Sequence, residues 1–472
     1  MKTYKCYAHL PGNLLMVGFG SIGQAVLPLL FRHLDLSPGQ IRIVSAAESG
    51  GEVAQEFGVS FTPQTLTREN YLEVLEPHLN KGDFLLNLSV DVSSLALIEL
   101  CHQRGALYLD TCIEPWLGGY TDPSLTPSLR SNYALREHVL DFGRRSGGGP
   151  TAVLSHGANP GLASAFVKQA LINIATDIRI SADTPACRDD WAQLARALNI
   201  KVIHVAEQDT QVSGRYKQKD EFVNTWSVFG FAGEGLQPAE LGWGTHERHW
   251  PQDGLRHEFG CDAAIYLNRP GAATRVRSWV PRGGCYHGFL ITHGESISVA
   301  DYLTVRENKK VIYRPTVHYA YHPCPDAVLS VDEFAGRNWR VQSKERVIRD
   351  EIVNGVDELG VLLMGHAKCA YWYGSSLSIQ QARQLAPYNN ATSLQVGAGV
   401  LAGMVWALLN PEEGVVEPDE IDYRLILEIA APYLGEVVGV YGDWTPLQDR
   451  EWPFPEDVDR DDPWQFKNIR VT

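Results

Sequence analysis

Over the first third of the chain, short apolar runs alternate with longer amphipathic stretches, and this rhythm predicts the architecture. Asn13-Leu14-Leu15-Met16-Val17 ends in Gly18-Phe19-Gly20-Ser21-Ile22-Gly23, and Gln24 to His33 then carries Ala25, Leu27, Leu29 and Leu30 at helical spacing. Further strand-like runs follow at Ile41-Arg42-Ile43-Val44-Ser45, Phe84-Leu85-Leu86-Asn87-Leu88-Ser89 and Ala106-Leu107-Tyr108-Leu109-Asp110. Strands rich in Val, Ile and Leu that alternate with helices predict a parallel, doubly wound sheet covered on both faces. The polar, glycine-rich stretch Arg144 to Pro150 marks a boundary, after which Thr151 to Ser155 predicts a strand and Leu162 to Asn173 a helix.

From residue 178 to 345 the pattern changes to short alternating pieces, such as Lys201 to Ala206, Phe222 to Ser227, Gly288 to Thr292 and Lys310 to Tyr313. These predict a mixed α+β region with a second sheet. Beyond 350 the chain becomes helical and rich in small residues through Thr392 to Leu401, a helix expected to return to the first unit. The expected fold is therefore α/β: a Rossmann-type doubly wound parallel sheet with an inserted α+β substrate domain. The expected divisions are 1–150 for the nucleotide unit, 151–375 for the inserted unit, and 376–472 for C-terminal helices and a tail returning to the nucleotide unit.

Gly18 to Gly23 form a G-x-G-x-x-G turn between a strand and a helix, the context in which this motif specifies dinucleotide binding. Its backbone amides, including those of Ser21 and Ile22, face phosphate at a helix N-terminus. The adenine ribose is expected near the end of the second strand, where Ser45 and Glu48 are the candidates. No arginine lies between Ser45 and Arg68, which favours NAD over NADP. Ligands of such sheets sit beyond the carboxyl ends of the strands, so Asn87, Ser89, Asp91, Thr111 and Glu114 are expected on the cofactor side.

Composition narrows the function classes. The chain has 472 residues, 44% hydrophobic and 21% charged, which excludes fibrous, disordered and disulfide-scaffold classes. A formal charge of −15 argues against a nucleic-acid partner and accords with a cationic substrate. The first residues lack an apolar signal region and no later run reads as a membrane span, so a cytoplasmic protein without a membrane partner is expected. The eight cysteines are scattered without a C-x-x-C pair, and reduced thiols are expected. His293-x-Glu295 invites a zinc reading, but Pro323-Cys324-Pro325-Asp326-Ala327 lacks the second cysteine that a zinc deaminase would use, so no metal is expected.

Several segments are more specific than the glycine turn. They are Leu88 to Asp91, Leu109 to Trp116, Ser155-His156-Gly157-Ala158-Asn159-Pro160-Gly161, Trp226-Ser227, Gly233 to Gly235, Thr292 to Glu295 and Gly442 to Pro446. Through them the chain resembles the saccharopine dehydrogenase-like reductases and, within these, the bacterial homospermidine synthases over nearly its whole length. The resemblance implies a borrowed-hydride transferase. NAD oxidises an amine carbon of putrescine, or of spermidine, to an imine; ammonia or diaminopropane leaves; a second putrescine adds; and the hydride returns. It further implies Asn159, Glu207 and Glu295 at the reacting end, with Asn159 also near the cofactor, Glu114 and Glu234 toward the entrance, Asp91 among the substrate carboxylates, His293 as proton relay and Trp226 as an aromatic partner for the iminium. It also implies a homodimer.

The chemistry asks for such residues. A free amine is protonated at neutral pH, yet only its neutral lone pair can push a hydride off the adjacent carbon, so a base is required while carboxylates hold the distal ammonium. Without the resemblance, Trp226 reads as core packing, and Glu207 and Glu234 as surface acids. Two alternatives stay open: a carboxynorspermidine- or saccharopine-type reductase, whose carboxylate substrates call for buried arginines, and a non-catalytic NAD or polyamine sensor.

Overall fold

The computed structural model describes residues 4–180 and 184–471. The first unit runs β1 (Leu14–Val17), α1 (Ser21–His33), β2 (Ile41–Ser45), β3 (Ser60–Pro63), β4 (Phe84–Asn87), β5 (Leu107–Asp110), α2 (Asn132–Ser146) and β6 (Gly149–Val153), and β3 is an addition to the strands the pattern predicts. The strands β1, β4 and β5 are buried at every position, as strands covered on both faces must be. Helix α3 (Leu162–Asp177) then leads to a second sheet.

That sheet is mixed and has ten strands. Its centre is β7 (Val202–Asp209), and the elements after it are β8 (Glu221–Asn224), β9 (Pro238–Gly242), helix α4 (Gly294–Tyr302), β10 (Thr316–His322), β11 (Lys344–Val347), β12 (Val356–His366) and β13 (Cys369–Ser378). Strand β7 runs parallel to β10 and antiparallel to β12, and β9 joins the far side of β10. Alternation in β7 and β10 turns Glu207, Asp209, Tyr319 and Tyr321 to one face, while His204 and His318 point to the other, where they pack with Ser278 and Phe466.

The segment 376–472, expected to return whole to the nucleotide unit, is divided between the sheets. Helix α5 (Ala391–Leu409) packs on α1, and β14 (Glu413–Val416) pairs in parallel with β6 at the edge of the first sheet, which runs β14-β6-β5-β4-β1-β2-β3. Strand β15 (Glu436–Gly442) instead pairs with β13, and Trp444, Trp464 and Phe466 of the tail join the second sheet's core. Helix α5 is long and apolar enough to span a membrane by length and composition, but 83% of its apolar window is buried within the protein.

Candidate active site

The glycine turn divides its labour as the spacing predicts. Gly18 has φ +86°, and a Cβ there would lie 2.7 Å from the Leu88 carbonyl and the Ser89 nitrogen, so no other residue fits. Around Gly20 a Cβ would meet nothing within 4 Å. That open space, at the start of α1, is what the approach of a pyrophosphate requires, and the residues present therefore fit a dinucleotide.

Beside the turn lies a cavity of about 660 Å³ lined by Gly18, Ser45, Ala46, Ser89, Asp91 and residues 64–69, among others. Ser45 is buried and its Oγ accepts from the Phe19 amide at 3.2 Å, which fixes the turn. Glu48, the acidic candidate for the ribose, is exposed on a short 3₁₀ turn and does not line the cavity. The loop after β3, with Thr65, Thr67 and Arg68, lines it instead. Sequence reading missed this loop because nothing in Gln64-Thr65-Leu66-Thr67 departs from an ordinary connection. Asn87 is buried beneath the cavity and accepts from the Ser89 hydroxyl at 2.6 Å, so it positions Ser89. Thr111 lies against Gly157, at the turn that carries Asn159.

The acidic site faces this cradle from the second sheet. Glu207 is 2% exposed; its Oε2 accepts from Asn159 Nδ2 at 3.2 Å and from the Tyr319 hydroxyl. Burial pushes its carboxyl up to about 8, and the neighbouring Asp209 adds to the rise. Tyr319 stacks on Tyr321 at 5.1 Å. The Tyr321 hydroxyl accepts from Trp226 Nε1 at 3.0 Å, which fixes the indole plane, and Phe231 packs on the indole at 5.7 Å.

His293 caps α4 between two carboxylates, with Nδ1 3.2 Å from Glu295 and Nε2 3.2 Å from Glu234. Burial opposes its charge, but the two anions outweigh burial and raise the imidazole well above its ordinary value. The second oxygen of Glu295 is buried without a partner. Glu114, also buried, is raised by burial and by the charges of Asp91 and Glu234, and it accepts from the Asp91 amide at 3.3 Å. Asp91 thus touches both the cofactor cavity and the outer carboxylates.

A buried contact set anchors this arrangement. Glu240 accepts from Thr292, the residue before His293, at 2.6 Å and lies 3.2 Å from His257, too obliquely for a hydrogen bond. His257 stacks on Tyr133 of α2 at 3.8 Å and lies 2.8 Å from the Ser128 hydroxyl. The segment carrying His293 is thereby held to the nucleotide unit.

Two further acids belong to the site. Asp209 and Asp357 face each other across the β7–β12 pairing. Asp209 accepts from Thr225 at 2.8 Å and is raised to about 6 by burial. Asp357 accepts from Thr392 of α5 at 2.6 Å, has one oxygen without a partner, and is raised well above the usual range by burial and then by Glu207 and Asp209. The i, i+2 spacing of Glu207 with Asp209, which puts both on one face of the strand, was a readable signal for the first of these. Asp357 had none, since it comes from a strand 150 residues away in sequence. Among the described residues no lysine or arginine pairs with Glu114, Glu207, Asp209, Glu234, Glu295 or Asp357; the only cation in contact is His293. A basin with so many buried acids and so little positive charge is built to receive a cation.

Comparison with known proteins agrees with this geometry. The family model for the saccharopine dehydrogenase NADP binding domain matches residues 14–153, and that for the saccharopine dehydrogenase C-terminal domain matches 157–443. The chain is 55% identical to the homospermidine synthase of Blastochloris viridis, covering 100% of both chains. It is 51% identical to that of Mesorhizobium japonicum, covering 100% of this chain and 98% of the relative. The crystal structure of homospermidine synthase from Legionella pneumophila in complex with NAD superposes with a TM-score of 0.92 at 52% identity, covering 98% of each chain.

Proposed function

This chain belongs to the homospermidine synthase family, and on that premise we propose that it transfers an aminobutyl group from putrescine, or from spermidine, to putrescine. The observation that carries the reading is the juxtaposition of the glycine cradle with a buried acidic basin in which, among the described residues, no lysine or arginine pairs with the acids named above. Arg136 lines a cavity with His293 and Glu295 but is already paired with Glu137, Asp301 and Glu417, so a carboxylate-bearing substrate of the reductase type would have to compete with three carboxylates for it.

Bound NAD supplies the acceptor and donor of one hydride at the amine-bearing carbon. The chain's residues do the rest. Glu207, poised near 8, takes the proton that the ammonium must lose and returns it later, while Asn159 and Tyr319 orient its carboxyl. Asp357 and Asp209 lie behind it, where charge for the distal ammonium is needed. His293, charged between Glu234 and Glu295, stands in for a substrate cation and gives up its proton to the departing amine as the diamine enters. Trp226 offers an indole face to the iminium, whose charge has lost its water. Glu114, Asp91 and Glu234 guide the incoming diamine.

Gly18, Gly20, Ser21, Ile22, Gly23 and Ser45 form the cofactor side of this proposal, with Ser89, Thr111 and Asn159 toward its reactive end. A nucleotide unit over 1–150, an inserted unit over 151–375, a homodimer and a cytoplasmic location complete the reading; family resemblance supports the dimer.

The test is to incubate the purified protein with putrescine and NAD and to follow polyamines by mass spectrometry together with free NADH. Homospermidine and ammonia without net NADH are expected. Stoichiometric NADH would indicate a dehydrogenase, and no product from putrescine alone or with spermidine would leave a reductase or a sensor.

A further inference from the structure

Arg349 stands where the second unit meets the first turns of the dinucleotide helix. It follows β11, which runs parallel to β8, the strand that leads into Trp226. Its backbone is fixed: Ile348 N donates to Asn224 O at 2.8 Å, and the Arg349 carbonyl accepts from Ile352 N at 3.2 Å and from Arg383 at 2.9 Å. From this base the guanidinium crosses to the nucleotide unit, where Nη1 donates to Gln24 Oε1 at 2.9 Å. Gln24 in turn folds back along α1 to donate to Phe19 O at 3.2 Å. Phe19 belongs to the glycine turn, so the cation is tied through Gln24 to the turn whose backbone is open at Gly20.

The protein supplies this cation with little counter-charge. Its side chain is 28% exposed and lies over the Tyr388 ring at 5.7 Å, and its carboxylate contact, Asp350 at 3.4 Å, is 84% exposed and screened by water. Arg136 and Arg346, which are more deeply buried, are met by carboxylates that are themselves largely withdrawn from solvent, Glu417 and Glu221 respectively. A guanidinium drawn partly out of water beside a helix N-terminus is stabilised when an anion joins it. The helix brings no such group itself, since its basic residues, Arg32 and His33, lie in its last turn.

We infer that Arg349 is a pyrophosphate-binding cation contributed by the substrate unit. Cofactor capture then ties the two units together through β11 and its neighbour β8. The inference rests on the reading of NAD as cofactor, and the experiment separates the two. The NAD-free full chain is titrated calorimetrically with NAD, ADP-ribose and adenosine.

In Arg349→Gln, affinity for NAD and ADP-ribose is expected to fall about tenfold or more, with a flatter salt dependence, while adenosine is unaffected. Arg349→Lys should recover part of the loss. Failure of the unaltered chain to bind NAD would remove the underlying reading. If that chain binds NAD and Arg349→Gln binds all three ligands equally well, the Arg349 assignment alone falls. An equal loss for adenosine would show a merely structural role and also overturn it. Arg349→Met, which keeps the aliphatic stem, replaces the glutamine variant if that chain does not fold.

Discussion

The cofactor cradle and the acidic basin face each other but are made of different material. The cradle is backbone: three glycines, the amides that open α1, and a serine that holds the turn. The basin is side chains from β7, β10, β12, α4, the helix Val228–Leu236 that carries Glu234, and several loops, most of them acids taken out of water against their preference. The first is specified locally and tolerates only glycine at its tightest point. The second exists only after distant strands pair, and its charge states are set by burial and by one another.

The largest expected effect breaks the basin and spares the cradle. Glu207→Gln keeps the acceptor for Asn159 but cannot cycle a proton, and turnover should fall about a hundredfold to ten-thousandfold with NAD affinity unchanged. Parallel loss of NAD binding would mean that the two regions are not separable. Next in size, Gly18→Ala forces a Cβ to within 2.7 Å of the Leu88 carbonyl at a positive φ, so NAD affinity should drop at least tenfold, as measured by fluorescence titration. Putrescine protection against thermal unfolding should persist in that variant.

A smaller effect sharpens the role of the aromatic wall. Trp226→Phe removes the stronger cation–π face and the bond to Tyr321, and turnover should fall about tenfold while NAD affinity holds. An unchanged rate would leave Trp226 as packing only. Smaller again, Glu234→Gln removes one of the two anions that hold the His293 proton, so the KM for putrescine should rise several-fold while turnover changes less. An unaltered KM would move Glu234 out of the substrate path.

The same division explains what could be read before folding. The strand, glycine turn and helix at residues 14–33 are contiguous, so spacing alone located the cradle and the alternation of elements located its sheet. The basin was legible only in part. Glu207, His293, Glu295 and Glu234 were named through resemblance, whereas Asp357 and the Tyr319–Tyr321 stack emerge from the pairing of β12 and β10 with β7. Glu48, one of the two candidates for the ribose, lies exposed in a 3₁₀ turn after β2, outside the lining of the cavity. The tail failed to return to the first sheet because β15 extends the second one, carrying Trp444 and Phe466 onto that sheet's core.

The smallest effect is one of pH on stability without ligand. Glu207 is raised to about 8 and Asp209 to about 6, both above their unfolded values, so each binds a proton more tightly in the folded chain. Their contribution is full below the unfolded carboxylate range and is lost as pH rises through about 6 and then about 8. The buried histidines act in the opposite sense: His156 and His318, held neutral with values near 4, cost stability as pH falls below 6.5. The melting temperature should therefore peak near pH 6 and decline by a few degrees toward pH 8. Glu207→Gln should flatten the alkaline part of that decline, and putrescine, by supplying the missing cation, should also flatten it in the unaltered chain. A decline that is the same in both chains would show that the charge of Glu207 is not what the alkaline limb senses, and would shift the source to the other raised groups of the basin, His293, Asp357 and Glu114.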